Sequence, residues 1–300
     1  MPDVNRGAGE QRDNREDPGG IRVRRWIGRV LSVLVHSTVV VAVAATAVAA
    51  TTTLLIGWPV EALPLVVVFA VTVLVYGANR LTDRREDRQN VPGRAAFVDQ
   101  FGWLVAAIGA IGYLAVTAVA IVQGIPGAPL LLVVPLVPIV YSRANLKRYF
   151  LVKNLSVGVA WGLLPVGVGI YYGSVLTVEI GALVTFWTVM ITVAAVVFDI
   201  KDVEGDRSEG IDTVPIRVGP ATTRVLAATA TALVAAGVAV AVLVGPLEEQ
   251  FLLLIVLTGY VGAYIPFATP ERGPLLYGLV IDGEHIVLFA CVSAWHVLVT

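Results

Sequence analysis

Long apolar runs alternate with short charged segments over most of this chain. A helix that crosses a bilayer needs about 20 mostly apolar residues. The pattern predicts nine such segments, at 31–57, 60–79, 100–122, 127–142, 154–173, 176–198, 222–245, 250–268 and 275–298. The fourth segment is short and contains Pro135 and Pro138, which predicts a kinked helix. We therefore expect an all-α, polytopic membrane protein whose helices form a bundle.

The basic residues predict how these segments are oriented. All 21 Lys and Arg residues lie in the N-terminal region or in and beside the loops that follow even-numbered segments. The charged residues of the opposite loops are all acidic: Glu61, Glu179, Glu248 and Glu249. Because cytoplasmic loops carry the excess of Lys and Arg, we expect a cytoplasmic N-terminus and an extracytoplasmic C-terminus in the plasma membrane.

Composition narrows the class of protein further. Residues 1–25 are rich in Arg, Asp, Glu, Asn and Gly, so we expect a disordered cytoplasmic tail before a membrane domain at 26–300. Cys291 is the only cysteine, which excludes an internal disulfide and a cysteine-based zinc site. The basic residues are spread over membrane-flanking loops and mixed with acids, so nucleic acid is not an expected partner, whereas the lipid bilayer is.

Two polar clusters stand out in a chain that is 57% hydrophobic and 14% charged. Carboxylates at a membrane boundary are costly unless a cation binds them. Spacings of three and four residues place each cluster on one helical face. If the two faces meet, their oxygen atoms suit Mg²⁺, which shares phosphate oxygens with its protein ligands; otherwise they are loop charges at helix ends. The clusters are Asn79, Asp83 and Asp87, after the second segment, and Asp199, Asp202 and Asp206, after the sixth.

The two clusters resemble the paired motifs of the UbiA superfamily of intramembrane prenyltransferases. The run from Asp199 to Pro215, with its Gly-x-x-Thr-x-Pro ending, is particularly similar to the second motif. The resemblance covers roughly residues 26–300. It implies a nine-helix bundle around a cytoplasm-facing Asp-rich site. It also implies a Mg²⁺-dependent enzyme, with Mn²⁺ as a substitute, that transfers a prenyl chain from an isoprenoid diphosphate donor to a lipophilic acceptor and releases pyrophosphate.

The resemblance also implies roles for individual residues. The five aspartates of the two clusters would support the metal ions, and Asn79 would orient the ligand. Arg80 stands where many members have an aspartate, and it would contact phosphate instead. The family's Tyr-x-x-x-Lys-Arg pattern after the fourth segment has no direct counterpart, because Lys147 and Arg148 stand two residues too far from Tyr141.

Several basic residues compete for the diphosphate-binding role. We expect Lys147 and Arg148 to bind the diphosphate. Lys153 is the next candidate, because Tyr149-x-x-x-Lys153 has the family's spacing at a later position. The alternative for all three is that they anchor the chain at the cytoplasmic surface of the membrane.

The ninth segment carries Asp282, Glu284 and His285, and ionisable groups inside a membrane helix usually face a cavity or a partner. They line an acceptor pocket, form a buried structural pair, or mark a helix that begins later than drawn. His36, in the first segment, is a second candidate substrate contact, the alternative being a helix-packing role. Several tryptophans lie near predicted membrane interfaces, which fits an aromatic belt better than a catalytic role; the set considered is Trp26, Trp58, Trp161, Trp187 and Trp295. The glycines of the fifth segment are expected to permit close helix packing.

Two other functions remain open. A membrane terpene cyclase would use the same site without an acceptor. A transporter would place ionisable groups near the bilayer midplane, whereas here the acidic clusters lie at one interface. The sequence does not indicate the acceptor, the length of the donor chain or the oligomeric state.

Overall fold

The computed structural model describes residues 38–84, 87–88, 91–143, 149–273 and 276–299, and within these ranges it contains helices and no strand. This confirms the all-α prediction. The proposed tail at 1–25 and His36 lie outside the described residues. The α-helices are α1 Val39–Ile56, α2 Ala62–Thr82, α3 Pro92–Val122, α4 Leu136–Arg143, α5 Val152–Gly162, α6 Leu164–Tyr171, α7 Val178–Ser208, α8 Val214–Val244, α9 Leu254–Tyr264 and α10 Glu284–Val299.

Eight helical spans in the described ranges are long and apolar enough to cross a membrane, rather than nine. The difference is the predicted segment 127–142. It is divided into a 3-10 helix, Ala128–Val133, and the short helix α4. Pro135 lies between the two pieces, and because proline lacks a backbone N–H it interrupts the helical hydrogen bonds there. The other eight predicted segments each correspond to one span.

Two helices at the Asp-bearing end extend well beyond their apolar parts. The span predicted to begin at residue 100 begins at Pro92, in the first turn of α3, where proline is well tolerated. The span predicted to end at residue 198 continues to Ser208. The second acidic cluster therefore lies inside α7 rather than in a loop after it, and its spacing is fixed by the helix itself.

The last span is interrupted near its start. A π-helix, Leu276–Ile281, is followed by a turn at Asp282 and Gly283, and α10 begins at Glu284. Segments of π-helix are rare and often occur at functional sites. Asp282 therefore lies in a turn between two helical pieces of this span, and His285 lies in the first turn of α10.

Helix α1 is the most buried of the eight spans in the described part of the chain. It packs against α2, α6 and α10, and in the series α5, α7, α8, α9 and α10 each helix packs against the next. Ala44, Val48 and Leu55 of α1 are buried, in keeping with a helix that is apolar on all sides and surrounded by others. Large apolar side chains on α3 and α8, such as Ile111 and Leu233, are exposed. These exposed faces suit contact with lipid.

The tightest helix pair, α5 and α7, positions one wall of the site. A Cβ atom added at Gly158 would collide with Thr192 Oγ1, and one added at Gly162 would collide with Thr188 Oγ1. These glycines therefore allow close packing, as expected. Trp187 of α7 is fully buried and Trp161 of α5 is nearly so. Neither of these two tryptophans therefore belongs to an interfacial belt, because both rings fill the interior of the bundle.

Candidate active site

Both acidic clusters line a single cavity of about 320 Å³. Helix α2 and the residues after it contribute Asn79, Asp83 and Asp87, while α7 contributes Asp199 and Asp202. The structure thus brings together two segments that are more than a hundred residues apart in sequence. It does not bring every member to the cavity wall, since Asp206 is absent from the lining and lies behind it.

The first cluster keeps helical geometry past the end of α2. The backbone N–H of Asp83 donates to Asn79 O at 2.8 Å, and that of Asp87 donates to Asp83 O at 2.9 Å. These are i to i−4 hydrogen bonds, so the three side chains follow one another along one face. Arg94 Nη1 donates to Asp87 Oδ1 at 3.2 Å, and Asp87 is buried.

The second cluster is organised by two side chains from the first turn of α5. Lys153 Nζ lies 3.0 Å from Asp199 Oδ1 and 3.3 Å from Asp206 Oδ2. Asn154 Nδ2 donates to Asp199 Oδ2 at 2.8 Å. Asp199 and Asp206 are both buried, so the ammonium group offsets much of the cost of placing two carboxylates there.

A third ion pair occupies the same wall. Lys201 Nζ donates to both carboxylate oxygens of Asp202. The ammonium group also lies 5.7 Å from the centre of the Phe198 ring and 5.8 Å from that of Tyr277, within range of a cation–π interaction. Arg80 completes the set of cations on the cavity wall, with Asp87 and Asp282 among its charged neighbours.

Negative groups outnumber positive groups around the cavity. Six carboxyl groups face four basic side chains: Asp83, Asp87, Asp199, Asp202, Asp282 and Glu284 against Arg80, Arg94, Lys153 and Lys201. An anionic ligand would increase this imbalance. Buried carboxylates need cationic partners, so a ligand bearing phosphate would bind best together with additional cations.

The donor atoms suit a hard divalent ion. Within the described residues, no three Asp, Glu, His or Cys side chains form a group that could hold a metal ion by themselves. Asp206 Oδ1 is buried and has no hydrogen-bond partner among the described residues. Mg²⁺ binds through one or two carboxylates and completes its shell with water and phosphate oxygens. The residues therefore fit Mg²⁺ shared with a diphosphate.

The opposite end of the cavity is aromatic. Trp161 Nε1 donates to Tyr76 Oη at 2.9 Å. The Trp161 ring centre lies 5.1 Å from that of His285, and the Trp187 ring centre lies 5.3 Å from it on another side. Apolar residues such as Val41 and Ile191 complete this end. The cavity therefore joins a charged end to an apolar end.

The structure shows where some of the predicted site residues lie, and the others fall outside the part of the chain that it describes. Asn79, Arg80, Lys153, Asp282 and His285 all line the cavity. Lys147 and Arg148, which we expected to bind the diphosphate, lie outside the described residues, as His36 does. Tyr141 lies in α4, and its side chain is outside the described part of the structure.

Sequence reasoning missed several residues of the cavity wall: Tyr76, Arg94, Asn154, Trp161 and Lys201. One of them had a usable signal. Asn154 follows Lys153 directly and caps the same carboxylate that Lys153 binds.

Comparison with known proteins identifies the family. The model of the UbiA prenyltransferase family matches residues 38–270, which is well over half of the chain. The chain belongs to this family. The match includes both acidic clusters, and it ends before the turn at Asp282 and helix α10.

Solved structures of UbiA homologues share the fold. A UbiA homologue from Aeropyrum pernix K1, in its apo form, superposes with a TM-score of 0.63 at 18% identity, over 86% of this chain and 97% of that chain. A UbiA homologue from Archaeoglobus fulgidus, bound to GPP and Mg²⁺, gives a TM-score of 0.59 at 16% identity, over 87% of this chain and 98% of the other.

One curated UbiA relative matches over a shorter range. Digeranylgeranylglyceryl phosphate synthase from Methanothermobacter thermautotrophicus is 40% identical over 90 residues. These residues are 30% of this chain and 31% of the synthase, so the similarity spans about a third of either protein.

Proposed function

We propose that this protein transfers a prenyl chain from an isoprenoid diphosphate to a lipophilic acceptor, in a reaction that depends on Mg²⁺ and releases pyrophosphate. The observation that carries the proposal is the single cavity that joins two carboxylate clusters and four cations to an aromatic, apolar end. A diphosphate ester with an isoprenoid tail has the same division between a charged group and an apolar chain.

The known relatives support the donor and the metal. The Archaeoglobus fulgidus homologue was solved with GPP and Mg²⁺, an isoprenoid diphosphate and the ion that the carboxylate set suits. Mn²⁺, which also prefers oxygen ligands, is expected to substitute. The curated relative is named for a glyceryl phosphate product, which favours a glycerophosphate lipid as the acceptor over a quinone precursor.

The basic residues would bind and orient the diphosphate. Arg80, Arg94, Lys153 and Lys201 surround the charged end, and each already has a carboxylate neighbour. When the diphosphate enters, these cations can turn from carboxylate to phosphate, and the carboxylates of Asp83, Asp87, Asp199 and Asp202 would be the residues that hold divalent ions. Asp206 and Asn154 would hold Lys153 and Asp199 in place, and Asn79 would orient the ligand.

Bond cleavage in this site would be driven by charge stabilisation. Bound Mg²⁺ supplies electrostatic stabilisation of the departing pyrophosphate. The basic side chains stabilise the same negative charge as the bond between the allylic carbon and oxygen breaks. The aromatic end would hold the prenyl chain away from water, which limits loss of the activated chain to hydrolysis.

The proposed topology places this chemistry at the inner surface of the membrane. The distribution of Lys and Arg favours a plasma-membrane protein with a cytoplasmic N-terminus and an extracytoplasmic C-terminus. Water-soluble donor head groups and Mg²⁺ would then reach the charged end from the cytoplasm. The acceptor and the prenyl tail would reach the apolar end from the bilayer.

The test uses purified protein in detergent with isoprenoid diphosphates of several chain lengths, Mg²⁺ and a panel of acceptors. We expect pyrophosphate release and a prenylated acceptor by mass spectrometry. A cyclised hydrocarbon formed from the donor alone would instead favour the terpene cyclase. Binding of the diphosphate without any turnover would favour a transporter.

A further inference from the structure

Three buried side chains at the junction between the charged and apolar ends of the cavity have unused polar atoms. Glu284 and His285 line the cavity, and Trp187 packs against His285. Glu284 and Trp187 are fully buried, and His285 is 4% exposed. Glu284 Oε1, His285 Nδ1 and Trp187 Nε1 have no hydrogen-bond partner in the described part of the chain.

The surrounding contacts fix these groups in position. Tyr264 Oη donates to Glu284 Oε2 at 2.8 Å, which anchors the carboxylate from α9. Glu284 Oε1 lies 3.6 Å from His285 Nε2. The Trp161 and Trp187 rings hold the imidazole from two sides. In the tautomer that carries its proton on Nε2, the imidazole has Nδ1 as a hydrogen-bond acceptor.

A purely structural role does not account for this arrangement. Buried polar atoms are nearly always hydrogen-bonded, and leaving them unpaired costs stability. Here three such atoms occur in one place. The cluster therefore has unpaired hydrogen-bonding atoms that a bound molecule can contact.

The location of the cluster indicates which molecule that is. Asp282, two residues before Glu284, has Arg94, Arg80 and Lys201 as charged neighbours. Glu284 and His285 therefore lie at the boundary of the charged end of the cavity. With the diphosphate among those cations, the allylic carbon bonded to it would lie at this same boundary, within reach of a nucleophile held by the cluster.

We propose that Tyr264, Glu284 and His285 form the acceptor subsite and that it takes an alcohol, so that the product is a prenyl ether; this rests on the proposed function. The unused atoms on residues that line the cavity provide two hydrogen-bond acceptors, Glu284 Oε1 and His285 Nδ1. A hydroxyl group has a proton to give to such an acceptor. The reacting carbon atom of an aromatic nucleophile brings no such polar proton.

The transfer step balances with these groups. A lone pair of the hydroxyl oxygen forms a bond to the allylic carbon. The bond from that carbon to the diphosphate oxygen breaks, and its electron pair leaves with pyrophosphate. The hydroxyl proton moves to His285 Nδ1, and Glu284 balances the charge of the resulting imidazolium. His285 is then the catalytic base, and Tyr264 is a positioning residue that acts through Glu284.

The test compares His285→Phe and Glu284→Gln with wild type and with His296→Phe, a matched change near the other end of α10. The donor is geranyl diphosphate with Mg²⁺. The acceptor probes are a glycerol monoether phosphate with a free hydroxyl, its O-methyl derivative and 4-hydroxybenzoate. Three quantities are measured: donor affinity, geraniol formed by capture with water, and ether product.

We expect His285→Phe and Glu284→Gln to keep donor affinity and geraniol formation within about 3-fold of wild type, since the cations of the charged end are unchanged. The ratio of ether product to geraniol should fall at least ~100-fold, the usual effect of removing a general base. His296→Phe and wild type should both form the ether with the free hydroxyl and none with the O-methyl probe. Glu284→Gln preserves the shape of the side chain, so this variant decides between the outcomes if His285→Phe does not fold.

Three outcomes would overturn the acceptor subsite. One is ether formation within about 3-fold of wild type in both variants. Another is a parallel loss of donor affinity and ether product in both, which a structural role would produce. The third is wild-type prenylation of 4-hydroxybenzoate with no reaction of the alcohol probe. A wild-type protein that releases no pyrophosphate from geranyl diphosphate, with or without any acceptor, would instead overturn the proposed function itself.

Discussion

Lys153 Nζ lies 3.0 Å from Asp199 Oδ1, and this ion pair joins α5 to α7 across the wall of the cavity. The same ammonium group also contacts Asp206, so one cation serves two buried carboxylates. The Lys153 side chain itself is 23% exposed, and it can therefore reach a ligand in the cavity as well. The residue that stabilises these two carboxylates is thus also placed to bind a phosphate group.

Replacing Lys153 by methionine should destabilise the protein and weaken donor binding. Two buried carboxylates would lose their cation, which costs about 1–3 kcal/mol. Mg²⁺ should raise the thermal unfolding midpoint of Lys153→Met more than that of wild type, because the ion supplies the missing charge. Thermal unfolding in detergent with and without Mg²⁺ measures this, and an equal effect of Mg²⁺ on both proteins would contradict it.

The control for Lys153→Met is Arg217→Met, which breaks an exposed ion pair. Arg217 Nε donates to Asp212 Oδ1 at 2.9 Å, and this hydrogen bond lowers the pKa of the Asp212 carboxyl below its ordinary value. Both partners are exposed to solvent. Exposed pairs contribute little to stability, so Arg217→Met should leave the unfolding midpoint and its response to Mg²⁺ unchanged.

Removal of divalent ions should abolish turnover. The excess of carboxyl groups over basic groups around the cavity leaves a diphosphate without enough positive charge unless divalent ions bind with it. After EDTA treatment, pyrophosphate release should fall to background, and Mg²⁺ or Mn²⁺ should restore it. Full activity in EDTA would rule out the metal-bridged site.

Replacing an aspartate of the cavity wall should lower pyrophosphate release in the same assay, whereas replacing an aspartate elsewhere should not. Asp83→Asn and Asp199→Asn keep the side-chain shape and remove a charge from the cavity wall, so each should lower pyrophosphate release by at least ~100-fold and raise the Mg²⁺ concentration needed for half-maximal rate. Asp99→Asn is the matched control, because Asp99 lies on α3 with exposed Arg88 as a partner. Similar losses in all three variants would show a general charge effect rather than a site.

The spacing of the acidic residues predicted much of the local site. Positions four apart repeat on one helical face, and the hydrogen bonds from Asp83 to Asn79 and from Asp87 to Asp83 show this geometry. Spacing says nothing about which helices meet, however. That the two clusters form one site was expected from the cost of unpaired carboxylates at a membrane boundary and from the family resemblance, but the actual meeting depends on the packing of α2, α5 and α7.

Other features could not be predicted because tertiary packing determines them. Basic residues beside membrane spans all fit the rule for cytoplasmic loops, so Arg94 and Lys201 could not be told apart from simple anchors. Trp161 and Trp187 have the amphipathic character of interfacial residues, yet they fill the interior next to His285. The turn at Asp282 and Gly283 had a signal in the ionisable residues beside it, but the same residues fitted a helix that faces a cavity or a partner equally well.

Larger side chains at the α5–α7 contact should disturb both stability and the site. In Gly158→Ala the new methyl group would collide with Thr192 Oγ1, which forces the helices apart. Overpacking of this kind costs about 1–3 kcal/mol, and it would move Lys153 away from Asp199. We expect a lower unfolding midpoint and weaker donor binding.

The matched control for Gly158→Ala is Gly167→Ala on α6, where an added Cβ meets nothing within 4 Å. Alanine is the better helix former, so this change should be neutral or slightly stabilising. Thermal unfolding and donor titration compare the two variants. If Gly167→Ala were as damaging as Gly158→Ala, close approach of α5 to α7 would not be the reason for the glycine.

The two ends of α7 should lie on opposite sides of the membrane. The helix has 31 residues, so at 1.5 Å per residue it is about 46 Å long, enough to span the hydrocarbon core and extend beyond it. Leu176, just before the helix, is fully exposed, and Ser208, at its other end, is exposed as well.

In a Cys291→Ala background, Leu176→Cys should react with a membrane-impermeant maleimide in intact cells, because the loops on its side lack basic residues. Ser208→Cys should react only after permeabilisation. Labelling of Ser208→Cys alone in intact cells would reverse the orientation and place the carboxylate site outside, where cytoplasmic diphosphate donors could not reach it.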